Sequence, residues 1–264
     1  MKYNKNNPLR VATLCSGYES QGLAMRELMK VYNDFDFTLV AWSEFDPESK
    51  AELDKQPAVI AHKALFPECA DKNFSDMTKI DWNTFPDCDL LFYSTPCQSI
   101  SNAGLQHGFT EGSGTRSSII WNVRDAVKIK RPKYLCLENV KAMIQQKFKP
   151  TFDLWCKELE RLGYKNFAQV LNAKDYGVPQ NRERIFLVSI LRTPDDPNPA
   201  YDFPKPFPLD IRLKDVLEDN VDESFFLSDE MLVRFCEKSM EEESKKTATE
   251  KCSAQGLFGD GDFE

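Results

Sequence analysis

Histidine is scarce, cysteine pairs are missing and no long apolar run interrupts this 264-residue sequence. Its two histidines, His62 and His107, and its eight cysteines form no Cys-x-x-Cys pair and no zinc-ligand spacing, so no metal is expected. No apolar stretch approaches the roughly 20 residues a membrane helix needs. Met1 to Arg10 is polar and carries no apolar signal segment. Several cysteines sit inside apolar runs such as Tyr134-Leu-Cys-Leu137. The chain therefore reads as cytoplasmic, with reduced thiols. A basic excess is absent as well: 34 Lys and Arg face 42 Asp and Glu, a net charge of −8. Phosphate contacts supply much of nucleic-acid affinity. Any nucleic-acid surface here must accordingly be local, or the grip must come from another polypeptide. No Gly-x-Gly-x-x-Gly turn occurs among the 11 glycines, which places a nicotinamide oxidoreductase last among candidate functions.

What is present is core material, 41% hydrophobic and 12% aromatic, arranged as short β-rich runs alternating with helical stretches from Leu9 to about Ile190. That alternation predicts an α/β domain with a mostly parallel sheet. Strands are expected at Arg10 to Cys15, Phe37 to Trp42, Asp89 to Ser94 and Tyr134 to Leu137. Helices are expected at Gln21 to Tyr32, Pro47 to Lys55, Ser118 to Ile129 and Thr151 to Leu162, the last stopped by Gly163. Phe167 to Leu171 and Arg184 to Ile190 read as an antiparallel hairpin around Tyr176-Gly177-Val178-Pro179. Six prolines between Pro194 and Pro208 then predict a linker. The boundary is set at 192, with 1–192 catalytic. Residues 193–264 read as the linker followed by acidic amphipathic stretches (Leu213 to Leu217, Ser228 to Glu237, Glu241 to Lys251) and a partly disordered Gly/Asp-rich tail.

In an open α/β sheet, ligands bind beyond the carboxyl ends of the strands. The first strand ends in Ser16-Gly17-Tyr18-Glu19-Ser20, where glycine lets a ligand approach the backbone, and the second ends at Glu44, suited to ribose hydroxyls. Asp76 could accept from an adenine amine, although each acid taken alone is as well read as a surface carboxylate or helix cap. The third strand runs into Thr95-Pro96-Cys97-Gln98-Ser99-Ile100-Ser101, which sets a cysteine in a polar loop behind a proline. Most lone cysteines are inert core residues, so the next strand decides. It ends in Glu138-Asn139-Val140, at the mouth where Cys97 opens, and a desolvated acid there would hold its proton and could donate it to a base. Arg182 and Arg184, spaced by two on a strand, point the same way. They could meet a phosphate and a base oxygen, or pair with a neighbouring acid.

The ordered series Pro96-Cys97-Gln98, Glu138-Asn139-Val140 and Gln180-x-Arg182-x-Arg184 resembles the defining motifs of the DNA cytosine-C5 methyltransferases. The resemblance spans roughly Val11 to Pro208, including Asn172-Ala-Lys-Asp-Tyr-Gly-Val-Pro-Gln180 and Phe203-Pro-Lys-Pro-Phe207. It implies a Rossmann-like methyltransferase fold, S-adenosylmethionine as cofactor and DNA as partner, with the target cytosine flipped out of the stack. Cys97 would attack C6, Glu138 would hold the N3 and N4 edge, Arg184 would contact O2, and Arg182 would lie near the backbone and nucleophile. Gln98 and Ser101 would sit on the loop that closes over DNA. The cofactor would rest on Gly17 and Tyr18, with Glu44 on the ribose, Phe45 on the adenine face, Asp76 and Met77 on its edge, and Pro96 and the Gly114-Thr115 turn completing the wall.

Two departures stand out. Leu14-Cys15-Ser16-Gly17-Tyr18-Glu19-Ser20 has fewer glycines than the family's usual first loop, and Ser113-Gly114-Thr115 stands in place of the more usual Arg-Gly-Thr. The family's target-recognition region and final Gly-Asn motif are not discernible after Leu209, which leaves three readings open: one subunit of a split enzyme whose second polypeptide carries them, a truncated product, or a relic. The alternatives are a tRNA cytosine-C5 methyltransferase, and an inactive remnant or cofactor-binding module. The DNA sequence read, and whether restriction-modification or mobile-element protection is served, are not legible here.

Overall fold

The computed structural model describes residues 2–101 and 106–237. One compact unit runs to Arg212, and a second begins at Leu213. In the first, six strands form one sheet: β1 (Leu9–Leu14), β2 (Phe37–Ser43), β3 (Leu90–Tyr93), β4 (Tyr134–Val140), β5 (Tyr164–Asn172) and β6 (Glu183–Leu191). The order across the sheet is β2-β1-β3-β4-β6-β5. Neighbours from β2 to β4 run parallel, whereas β6 lies antiparallel to both β4 and β5. The expected mostly parallel, Rossmann-like sheet with an antiparallel hairpin is therefore what forms.

Helices cover both faces, which is why the strands read as apolar runs rather than strict alternations. Leu9 and Val11 of β1 and Trp42 of β2 pack with Met25 of α1 (Ser20–Val31) and Val59 of α2 (Pro57–Leu65). Ala12 and Leu14 turn to the opposite face. There they join Val123, Ala126 and Val127 of α3 (Val123–Lys130) and Phe152, Trp155 and Leu159 of α4 (Lys149–Arg161). The α4 residues recur three and four apart, the spacing of one helical stripe. Trp155 is fully buried and its indole N–H donates to Tyr93 Oη at 3.2 Å, satisfying the polar end of a large core side chain.

Two helices depart most from expectation. No α-helix forms over Pro47 to Lys55. That stretch is a loop with a 3-10 turn at Leu53–Lys55, and the helix starts at Pro57. Either proline suits the first helical position. Tertiary bonding decides between them: the Gln56 side chain accepts from the Asp46 amide and donates to its carbonyl, closing 46–56 into an excursion. The expected helix at Ser118 to Ile129 begins as a 3-10 turn, Arg116–Asn122, and becomes α-helical only at Val123.

After β6, the proline-rich segment stays on the first unit. Tyr201 packs on Phe167, the Tyr176 hydroxyl donates to the Pro204 carbonyl, and the Phe207 amide donates to the Asp175 carbonyl. The second unit contains 3-10 turns at Leu213–Val216 and Glu223–Phe225, and residues 229–237 are helical. The stretch Glu241 to Lys251 and the Gly/Asp-rich end lie outside the described residues. The described cysteines, Cys15 to Cys236, are free thiols. No described helix is long and apolar enough to cross a membrane.

Candidate active site

Beyond the carboxyl ends of β1, β2 and β3 lies a cleft of about 750 Å³, a size suited to a nucleoside-sized ligand. Gly17, Tyr18, Glu44, Phe45, Asp76, Met77, Pro96, Cys97 and Gln98 all line it. The loop after β1 is tightly wound, with positive φ at Cys15, Gly17 and Glu19. This turns the Gly17 amide onto Glu44 Oε2 at 2.7 Å. Burial raises the Glu44 carboxyl above the ordinary carboxylate range, against the pull of that amide. Burial also works to raise Asp76, but the Thr78 hydroxyl and amide together with Lys79 overcome it and hold the group low. Met77 is buried and its sulfur accepts from the Cys15 thiol. Apolar walls from Phe45, Met77, Pro96 and Ile119 flank the two acids. That donor set suits a purine base, a ribose diol and an exocyclic amine, so the residues fit S-adenosylmethionine. The Gly114-Thr115 turn does not reach the cleft, and Arg116 and Ile119 line that side instead.

Cys97 sits at the start of a tight turn after β3, its carbonyl accepting from the Ile100 and Ser101 amides. Ser101 lies near the end of this turn and is not a cleft residue. Two buried polar side chains brace the backbone around the thiol. Asn139 Nδ2 donates to the Thr95 carbonyl at 2.9 Å, while Ser117 Oγ donates to the Pro96 carbonyl at 2.7 Å and accepts from the Ser99 amide at 3.2 Å. Asn139 and Glu138 are consecutive on β4 and face opposite sides of the sheet. One therefore fixes the thiol loop while the other points to the exposed mouth.

Glu138 meets both predicted arginines, lying 3.1 Å from Arg184 Nε and 3.8 Å from Arg182 Nη2. The antiparallel register that pairs Val140 with Arg184 and Glu138 with Phe186 sets Arg184 diagonally across from Glu138, whereas Arg182, expected on the same strand, precedes β6, its amide held by Asn172 Oδ1. Glu183 points the other way, to Lys141. The expectation of a desolvated Glu138 is not met. Its side chain is 29% exposed and ion-paired, because β4 runs three residues farther than Leu137 and carries Glu138 out beside β6. Glu138, Arg182 and Arg184 thus form a group apart from the cleft lining, to which Cys97 and Gln98 belong, and Ser101 stays on the Cys97 turn outside the lining.

Sequence reading also missed a buried cluster beneath the first loop. Glu19, fully buried, caps α1 by accepting from the Gly22 amide, receives the Thr13 hydroxyl at 2.6 Å, and lies 3.5 Å from His62 Nδ1. His62 stacks on Trp42 with ring centroids 3.6 Å apart. Burial pushes Glu19 up to about 7 and His62 down to about 4. In this glycine-poor loop, Glu19 is held in a left-handed conformation by its buried carboxyl, which caps α1 from within.

The sequence profile of the C-5 cytosine-specific DNA methylases matches residues 9–258. This chain belongs to that family. Over 156 residues it is 46% identical to the type II methyltransferase M2.ScrFI of Lactococcus lactis subsp. cremoris, an alignment covering 59% of this chain and 42% of that protein. Over 181 residues it is 35% identical to M1.ScrFI of the same organism, covering 69% and 45%. Over 160 residues it is 37% identical to the orphan methyltransferase M.SssI of Spiroplasma monobiae, covering 58% and 41%. The matched region is thus less than half the length of each of these methylases. Among solved structures, Spodoptera frugiperda DNMT2 shares the fold with a TM-score of 0.62 at 20% identity, covering 85% of this chain and 64% of that one. A putative DNA modification methyltransferase from an E. coli prophage does so with a TM-score of 0.57 at 20% identity, covering 81% and 56%.

Proposed function

We propose that this chain carries the cofactor site and nucleophile of a DNA cytosine-C5 methyltransferase, working with target-reading residues supplied from outside the region matched to its relatives. The observation that carries the reading is the placement of Cys97. Its turn lines the nucleoside-sized cleft, and one strand over stands Glu138, with Asn139 tying the two strand ends together. S-adenosylmethionine, when bound, supplies an electrophilic methyl group. Every other task falls to the chain. Glu44 holds the ribose, Phe45 and Met77 enclose the adenine, and Asp76 accepts from its amine.

On the substrate side, the Cys97 thiolate adds to C6 of a flipped cytosine, while Glu138, released from its arginines and protonated from solvent, passes that proton to N3 so that the electron pair moves toward C5. Arg184 exchanges Glu138 for the base O2, and Arg182 meets the backbone phosphate. Gln98 and Ser101 lie on the turn that closes over the strand. Once C5 carries the methyl group, a base takes the C5 proton, elimination returns the electron pair to Cys97 as the 5–6 double bond re-forms, and the N3 proton goes back to Glu138.

Calorimetry with S-adenosylmethionine, followed by tritiated methyl transfer to unmethylated DNA and to tRNA in the same preparation, tests the proposal. Binding followed by transfer to DNA that Cys97→Ser abolishes supports it. Transfer to tRNA alone replaces the substrate. Binding without transfer, even after the recognition region of a relative is added, leaves a cofactor-binding module. Failure to bind overturns it.

A further inference from the structure

One side chain at the cleft has no part in the reading above. Among the described residues, Arg116 is the sole cation in a lining that also contains Glu44, Asp46, Glu48 and Asp76. It begins the 3-10 turn Arg116–Asn122 on one lip of the cleft and reaches the loop after β2 on the other. Nη1 lies 3.1 Å from Glu48 Oε1, and Nη2 lies 3.5 Å from Asp46 Oδ1. Both lips are anchored from behind. The adjacent Ser117 is buried and bonded to the Pro96 carbonyl and the Ser99 amide, and Asp46 is held through its backbone by the Gln56 side chain. The guanidinium therefore spans two fixed walls. The loop it holds carries Glu44 and Phe45, the residues assigned to ribose and adenine. Its charge also lowers the Glu44 carboxyl, opposing the effect of burial.

We infer that Arg116, with Glu48 and Asp46, is a strap across the mouth of the cofactor cleft that slows the escape of bound cofactor. The inference rests on the cleft being the S-adenosylmethionine site. An entering nucleoside must part the strap, and once inside it lies behind a re-formed ion pair. Because the Glu48 and Asp46 side chains are 74% and 52% exposed, salt screens the strap. Retention should therefore weaken as ionic strength rises. A strap built from a partly exposed pair contributes at the scale of such pairs, a few-fold in rate.

The test measures dissociation of S-adenosylhomocysteine by chase, with affinity by calorimetry, in the unmodified chain, Arg116→Gln, Glu48→Gln and the double variant. Each runs at about 0.05 M and about 0.5 M salt, on either side of effective screening. Each single variant should release the ligand about twofold to fivefold faster at low salt, the range such pairs support. The double variant should be no faster than Arg116→Gln, and all four chains should converge at high salt. Equal release rates at low salt in the unmodified chain and both single variants would overturn the strap while leaving the cofactor site standing. Failure of the unmodified chain to bind at all would remove both. Urea midpoints without ligand report folding, and if Arg116→Gln does not fold, Glu48→Gln decides alone.

Discussion

The two sides of the sheet's carboxyl edge are built from opposite materials. On the β1 and β2 side, Glu19 is buried and Glu44 half-buried, and both are tied to backbone amides or hydroxyls: Glu44 to Gly17, and Glu19 to Thr13 and Gly22. On the β4 and β6 side, Glu138 and its two arginines are partly exposed and satisfy one another. Buried, prebonded groups cost no reorganisation when a ligand arrives. Exposed ion pairs are weak and readily exchanged. In the proposed function the difference has a use: the first side receives one constant ligand, while the second trades an internal partner for a substrate. Cys97 lies between them, on a turn braced from both directions by Asn139 and Ser117.

Breaking each side should separate chemistry from cofactor binding. The largest effect belongs to Cys97→Ser, which should lower methyl transfer by roughly a thousandfold or more while cofactor affinity by calorimetry stays unchanged. Glu138→Gln should cost about 10² to 10⁴ in turnover, again with cofactor affinity intact. On the other side, Glu44→Gln should weaken cofactor binding by about tenfold to a hundredfold, the worth of a charged hydrogen bond. A variant on one side that altered the other side's readout to the same degree would erase the distinction.

Smaller effects sharpen it through stability. A Cβ at Gly22 would approach Phe66 Cζ to 2.8 Å and Glu19 Cγ to 2.9 Å, so Gly22→Ala should lower unfolding free energy by about 1–3 kcal/mol in urea titration. Glu19 and His62 should show compensating pH behaviour. Glu19 is raised from 4.5 to about 7, so its folded form binds the extra proton, and its contribution is full below 4.5 and lost as pH rises through 7. His62 is lowered from 6.5 to about 4, so its contribution is full above 6.5 and lost as pH falls toward 4. Between about 4.5 and 6.5 the two slopes oppose, each limited to about 1.4 kcal/mol per pH unit. Thermal melts of Glu19→Gln should lose stability on acidification through that window, and those of His62→Phe should lose it on going alkaline. Identical pH profiles in both variants would refute the pairing.

The parts of this fold legible in the sequence were those governed by periodicity and by residue type at strand ends. The apolar runs of β1 to β4 announced themselves, and the stops at Gly17, Glu44, Pro96-Cys97 and Glu138 placed the groups of interest at one edge. What escaped notice depends on contacts between distant segments. The helix expected at Pro47 begins at Pro57 because Gln56 folds back on Asp46, a bond that spacing does not reveal. Arg116 and Ser117 precede the helix expected from Ser118 and carry no signal of their own in the sequence, yet a 3-10 turn aims one across the cleft and the other under the Cys97 loop. Glu138 seemed a buried acid until the antiparallel register of β6 set Arg184 beside it.

The most direct test of the central claim is covalent trapping. The chain, S-adenosylmethionine and DNA containing 5-fluorocytosine are incubated together, with the recognition region of a relative supplied, and the protein is mapped by peptide mass. Fluorine at C5 cannot leave as the proton does, so the adduct should persist, and it should be found on Cys97 and vanish in Cys97→Ser. An adduct on another residue, or none from a chain shown to bind its cofactor and that DNA, would contradict the assignment of Cys97 as the nucleophile.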